Sequence, residues 1–316
     1  MDDLDTRILR ELIVDPFTQC FQSDVRVSYS AIANKLAVDE DTVRNRIDAL
    51  GGGFLLGWRA GINPRAIGLS TRFMLFDVRP TRMKGQILLE MSTIPGMMWT
   101  MDHLGNMVSC LVAYQGEEAL NDIRRHLLRI SNAETFKSFD QIFPDCSLSL
   151  QKTDLDIIDA MQTDPRKPFE DVSKELRIST RTVRRHIQKL SKCRAIFILP
   201  VLDMKFEDGK ISANLIVEYA KPGARREVDR QILAKFDQYV VCGRLVSKGL
   251  GWFLFHVPNA ATLREMQELA DRLPGVTHSF TLPIVGFANL IGVTYQQNVL
   301  LKRKKTLTVS ARQGNN

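Results

Sequence analysis

The chain has little cysteine, and what it has follows no pattern: Cys20, Cys110, Cys146, Cys193 and Cys242 are scattered, odd in number and never spaced as Cys-x-x-Cys. This excludes a disulfide framework and a zinc ribbon, and predicts free thiols in a reducing compartment. Histidine is scarce too, with five isolated residues, so no metal site is expected. No Gly-rich phosphate loop, no nucleophile elbow and no His-Glu-x-x-His motif occurs. The residues therefore predict no catalytic site, no cofactor and no enzyme. Long apolar runs are missing as well: none approaches the roughly 20 residues of a membrane span. The start, Met-Asp-Asp-Leu-Asp, lacks the basic flank and apolar core of a secretion signal. A cytoplasmic protein with no membrane partner is the expectation. The hydrophobic and charged fractions, 44% and 25%, are those of an ordinary globular chain.

What is present is a repeat. Tyr29 to Leu50 (YSAIANKLAVDEDTVRNRIDAL) returns without a gap as Phe169 to Leu190 (FEDVSKELRISTRTVRRHIQKL), and an apolar helix ending in Asp-Pro precedes each copy. A repeat of this length means two equivalent units. In the first copy Leu4, Ile8, Leu9 and Leu12 fall at helical spacing before Asp15-Pro16, and residues 17 to 28 form an insertion that the second copy lacks. Two short apolar stripes follow, Ile32, Ala33 and Leu36, then Val43, Ile47 and Leu50, repeated as Val172, Ser173 and Leu176, then Val183, Ile187 and Leu190. Helix, tight turn, helix is the pattern of a helix-turn-helix. Asp39 and Ser179 stand where the third helix should start and are expected as its N-caps. The apolar stretches 54 to 58 and 195 to 199 suit the strands of a wing.

The two copies differ in charge. Every charged residue from Arg177 to Arg194 is basic, whereas the matching part of the first copy sets Asp39, Glu40, Asp41 and Asp48 against Arg44 and Arg46. With Val183, Ile187 and Leu190 turned inward, Arg181, Arg184, Arg185 and Gln188 are expected on the outer face, where a recognition helix carries its contacts to bases and phosphates. His186 is expected as a surface or groove residue.

After each unit the predicted order is βαββαβ, from Thr71 to Ile142 and from Ile211 to Pro283. That is the ferredoxin-like arrangement, whose uncovered sheet face must be buried on something. The tail ends in Lys302-Arg303-Lys304-Lys305 and a polar finish, and disorder is expected there.

The opening Asp-Leu-Asp-Ile-Ile-Asp-Ala-Met-Gln-Thr-Asp-Pro-Arg (154 to 166), continued by Ser-Thr-Arg-Thr-Val-Arg-Arg-His-Ile-Gln-Lys-Leu (179 to 190), resembles the Lrp/AsnC family of transcription regulators. Leu4 to Leu12 resembles the same opening less completely. The resemblance implies an α+β chain with two winged helix-turn-helix domains (1–64 and 149–204) alternating with two ferredoxin-like sensing domains (65–148 and 205–296), followed by a basic tail (297–316). It further implies sheets paired as an intramolecular pseudo-dimer, with the helix-turn-helix units about one DNA turn apart, roughly 34 Å. The implied function is sequence-specific binding of double-stranded DNA in a nucleoid-associated regulator. The implied DNA contacts are Ser179, Thr180, Arg181, Thr182, Arg184, Arg185, Gln188 and Lys189 in the second copy, and Thr42, Arg44 and Asn45 in the first.

A small-molecule effector and further self-association are also implied by the family. The family's Gly-x-x-Asp motif corresponds here to Gly105-Asn106-Met107-Val108 and Gly243-Arg244-Leu245-Val246, both without the Asp. Such glycines are also plain turn and bulge residues. Gly105, Asn106, Gly249 and Gly251 are the expected effector-binding positions. Two alternatives stand beside the regulator. One is a protein-interaction scaffold with degenerate helix-turn-helix units. The other is an enzyme resembling siroheme decarboxylases, whose His-Tyr-x-Arg and Asn-x-Trp-Phe signatures are not preserved around Met98 to His103.

Overall fold

The computed structural model describes residues 1–12, 27–51, 53–140, 143–203, 209–247, 249–288 and 295. Most of the insertion and the whole basic tail lie outside these. Each copy of the repeat forms three helices: α1 (Asp3–Leu12), α2 (Tyr29–Leu36) and α3 (Glu40–Gly51), then α6 (Lys152–Met161), α7 (Phe169–Leu176) and α8 (Thr180–Lys192). The expected apolar stripes form the interior, with Ile8, Leu9, Leu12, Ile32, Val43, Ile47 and Leu50 buried in one copy and Ile157, Met161, Val172, Val183 and Leu190 in the other. The turn is repeated down to its backbone: Ala37 and Arg177 both close their helices at positive φ, +55° and +54°.

The strands expected as wings behave differently. β1 (Leu55–Ile62) and β6 (Ile196–Leu202) pair with each other, antiparallel, into one two-stranded ribbon shared by the two copies. Among the described residues each copy supplies one strand after its third helix and no second strand to close a hairpin, and the two strands pair with each other. Asn63, at the end of β1, donates from Nδ2 to the carbonyls of Pro144 and Arg194, 2.8 Å each, and ties both linkers to the ribbon.

The remaining elements give βαββαβ twice. The first unit is β2 (Ser70–Asp77), α4 (Lys84–Ser92), β3 (Met97–His103), β4 (Met107–Tyr114), α5 (Gly116–Ser131) and β5 (Phe136–Asp140). The second is β7 (Ile211–Tyr219), α9 (Arg225–Phe236), β8 (Val240–Ser247), β9 (Leu250–Val257), α10 (Ala260–Arg272) and β10 (Val276–Ala288). The halves are joined at their edges as well as their faces: one eight-stranded sheet runs β5-β2-β4-β3-β10-β7-β9-β8, with β10 hydrogen-bonded to β3 from Ile284↔His103 to Ala288↔Thr100.

Alternation along the strands sorts the side chains. Met74 and Phe76 of β2 and Ala213, Leu215 and Val217 of β7 face the helices, while Phe73, Leu75 and Ile216 face the other half. There Trp99 stacks with Trp252 across the seam, centroids 6.3 Å apart, and Lys137 on β5 pairs with Glu218 on β7 at 2.8 Å. The end strands β5 and β8 meet, so the sheet curls around its own apolar face. Among the described residues no helix is long and apolar enough to cross a membrane.

Candidate nucleic-acid interface

α8 starts as its sequence predicts. Ser179 is the N-cap, its Oγ accepting the Thr182 N–H at 3.1 Å, and the two hydroxyls are 2.9 Å apart. Val183 and Leu190 are buried, which leaves Arg181, Arg184, Arg185 and Gln188 exposed along one side. Among the described residues Arg181 and Arg185 make no hydrogen bond or ion pair, so their guanidinium groups are open to an external acceptor. The Arg184 guanidinium lies 5.8 Å from the Phe169 ring centroid, which restrains its stem while leaving it exposed. Thr180 and Thr182 are half-buried.

Two α8 residues stand elsewhere than expected. His186, expected at the surface, is buried (8% exposed), and its Nδ1 donates to Oδ1 of Asp154 at 2.6 Å. Residue 186 lies one turn after Val183 and shares its inward face, so the helical period places it under α6. Lys189, three residues on, is half-buried with Nζ 3.5 Å from Oδ2 of the same carboxylate. Asp154 itself completes a capping box, its Oδ2 accepting the Gln151 N–H at 2.8 Å.

The first copy has the same frame with different wiring. Asp39 directly precedes α3, and its carbonyl accepts the Val43 N–H at 3.2 Å. Arg44 lies 5.9 Å from the Tyr29 ring, the counterpart of Arg184 over Phe169. Its guanidinium also binds Glu40 at 2.8 Å and Asp41 at 3.1 Å on its own helix. Arg46 occupies the place of His186 and binds Asp2 at 2.5 Å and Asp5 at 3.3 Å. Burial raises the Asp2 carboxyl, but the Asp5 N–H and then Arg46 hold it below its ordinary range. Both cations of α3 are thus engaged by acids of the same copy. Asn45 is exposed and Thr42 half-buried.

The copies also touch. Arg166 donates to the Tyr29 hydroxyl at 2.8 Å, and Arg59 on β1 donates to the Thr163 carbonyl at 2.8 Å.

Of the four glycine and asparagine positions singled out in the sensing domains, Gly105, Asn106 and Gly249 sit in turns and Gly251 lies in β9. Gly105 has φ +78°, and its carbonyl accepts from the buried Lys84 ammonium at 2.8 Å; the Asn106 carbonyl accepts the Val78 N–H at 2.8 Å. Lys84 also pairs with Asp102 at 2.6 Å and donates to the His103 carbonyl. Gly249 accepts the Tyr219 N–H at 2.8 Å. A Cβ at Gly251 would stand 1.9 Å from the Tyr219 hydroxyl oxygen, so close packing requires the glycine. No cluster of three or more His, Cys, Asp or Glu suited to a metal occurs among the described residues.

The family model of the AsnC-type helix-turn-helix domain matches residues 1–50 and 150–191. Both copies are AsnC-type helix-turn-helix domains. No curated protein matches the chain in sequence. Among solved structures, the siroheme decarboxylase NirDL is similar over 98% of this chain and 99% of its own, with 15% identity and a TM-score of 0.58. The same enzyme in co-complex with an iron-uroporphyrin III analogue gives 16% identity over 98% of this chain and 100% of its own, TM-score 0.57. AsnC of E. coli covers 48% of this chain and 97% of its own, with 15% identity and a TM-score of 0.34. The chain therefore shares its fold, from the first AsnC-type domain through the second sheet unit, with an enzyme. This overturns the expectation that the protein is not an enzyme. That expectation rested on missing local motifs, which report on particular chemistries and leave the architecture untested.

Proposed function

We propose that this protein is a transcription regulator that binds double-stranded DNA and reads it mainly through α8 of the second AsnC-type domain. The observation that carries this reading is the exposed face of Arg181, Arg184 and Arg185 on a capped third helix with no acidic residue from 177 to 194. A guanidinium in the major groove bridges O6 and N7 of guanine, or holds a phosphate oxygen. Ser179, Thr180, Thr182 and Gln188 lie along or beside the same face, and Lys189 stands at its rim. On the first domain Thr42, Arg44 and Asn45 form the corresponding surface, but Arg44 is already paired with two carboxylates. The reading therefore predicts an asymmetric operator with one strong half-site. Gly105 and Asn106, and Gly249 and Gly251 at the start of β9, remain the candidate effector positions.

The test is equilibrium binding of the full chain to an operator selected from random duplexes. Replacing Arg184 and Arg185 with Ala should each cost about 1 to 3 kcal/mol if each makes a bidentate base contact. A double variant that binds as the parent does would overturn the reading. A second reading, an enzyme resembling siroheme decarboxylase, is favoured by the likeness that runs the full length of both chains. Conversion of siroheme by the purified protein, together with failure to enrich any duplex, would put that reading in place of the first.

A further inference from the structure

Asp154 is fully buried, 0% exposed, under the basic helix of the second AsnC-type domain. A carboxylate in such a place is tolerated only with close donors. One donor, the Gln151 N–H, comes from its own helix. The other two, His186 Nδ1 at 2.6 Å and Lys189 Nζ at 3.5 Å, come from α8 and lie three residues apart on one face. Two attachments one turn apart fix both the rotation of α8 about its axis and its slide along α6. Arg184 and Arg185 precede the first attachment directly, and Gln188 precedes the second. The aim of the exposed face is therefore set from the buried one.

The first domain shows the alternative. Its counterpart acid is Asp5, which completes a capping box as Asp154 does, its Oδ2 accepting the Asp2 N–H at 2.7 Å while its own N–H donates to Asp2 Oδ1 at 3.0 Å. Asp5 pairs with Arg46, whose side chain is 39% exposed, and Ala49 stands where the second domain has Lys189. Its link is peripheral and rests on one α3 side chain, which binds Asp2 as well. α7 adds no competing charge to the second domain's pair, because Glu170, Asp171, Lys174 and Glu175 are all exposed.

We propose that His186 is a positioning residue of the second AsnC-type domain, which through its hydrogen bond to Asp154 sets the roll of α8 and so the aim of Arg181, Arg184 and Arg185. The assignment rests on the reading that α8 binds DNA. It acts through a donated hydrogen bond, and side-chain volume alone does not replace it.

The experiment compares the full chain with His186→Leu, His186→Gln and His186→Arg, the last carrying the first domain's residue. Affinity for the selected operator and for an unrelated duplex is measured at one salt concentration, alongside hydrogen exchange of the α8 amides. His186→Leu should lose about tenfold or more in operator affinity, while binding to the unrelated duplex, which depends on retained charge, changes less than about threefold. His186→Gln or His186→Arg, which restore a donor, should recover most of the loss. Operator binding by His186→Leu within about twofold of the parent would overturn the proposal, as would donor variants no better than Leu. If His186→Leu loses exchange protection throughout α6 to α8, the Gln and Arg variants decide the matter alone. If the parent itself prefers no operator, the reading of α8 fails, and the link is then judged by whether the donor variants keep the exchange protection that Leu loses.

Discussion

The two AsnC-type domains of this chain share a backbone and differ in almost everything attached to it. Both place a valine, an isoleucine and a leucine in the third helix, both close the second helix with a residue near φ +55°, and both lay the arginine that follows that valine, Arg44 or Arg184, over the first aromatic of the second. In the first domain the interior runs on into the apolar layer between the two sheets, and Arg10 on α1 reaches Asp237 of the second sheet unit at 2.6 Å. In the second, Leu155, Ile158 and Leu190 join that same layer, while Ile157, Met161, Val172 and Val183 form a small core of their own. One domain spends its arginines on its own acids, and the other leaves Arg181 and Arg185 open. Two copies of one gene product in a symmetric dimer would have to be identical at these positions. Fusion into a single chain removes that constraint, and the surfaces have diverged while the frame has not.

The sharpest way to break this comparison is to remove two exposed arginines of α8. Arg184→Ala with Arg185→Ala should cost about 2 to 6 kcal/mol of operator binding, summing about 1 to 3 for each base contact; a titration showing no loss would make the domains equivalent after all. Acid should act next on the first sheet unit. Burial, helped by the nearby Lys84 ammonium, pushes the His103 imidazole down to about 3, and its Nε2 bonds Ser109 Oγ at 2.7 Å. Below about pH 6.5 the unfolded chain takes up a proton that the folded one refuses, so stability should fall as pH drops from there towards 3, by at most about 1.4 kcal/mol per pH unit from this group. Urea unfolding of the parent and of His103→Gln across that range should differ in slope; parallel curves would refute the assignment.

A charge graft tests the comparison from the other side. Asp41→Arg with Asn45→Arg gives α3 the arginines of α8 at the equivalent positions. The slope of log affinity against log salt should then steepen by about 1.8, or 0.9 for each phosphate newly contacted. An unchanged slope would show that the first domain faces away from DNA altogether. The smallest effect is expected from Arg44→Ala: because Glu40 and Asp41 already hold that guanidinium at the surface, operator affinity should move by less than about 0.5 kcal/mol.

Much of this was legible in the sequence, and the misses share a cause. The Ser179 cap, the inward trio of α8 and the outward arginines follow from helical period and capping chemistry, which act within a few residues. The shared ribbon was not legible, because a lone strand does not specify its partner; β1 found the strand of the other copy, 140 residues away. The run of β10 to Ala288, which stitches it to β3, was missed for the same reason. His186 was placed outside because it sits in a basic run. Aligning the copies would have set it opposite Arg46, and the capping boxes would have set Asp154 opposite Asp5, exposing a paired acid and cation in both. The absence of catalytic motifs was given too much weight, since full-length likeness to an enzyme fold is invisible at this level of identity.

The sequence by itself determined that there are two helix-turn-helix units and two sheet units, which apolar residues of each helix turn inward, and that one third helix is basic while the other is mixed. These depend on local periodicity and on charge, which a linear string carries in full. Only the tertiary structure decided that the ribbon is held in common, that the two sheets become one, and that a buried carboxylate reaches from α6 to grip α8. Those are choices among distant partners, made by which edges, faces and charges are left unsatisfied once the local elements have formed.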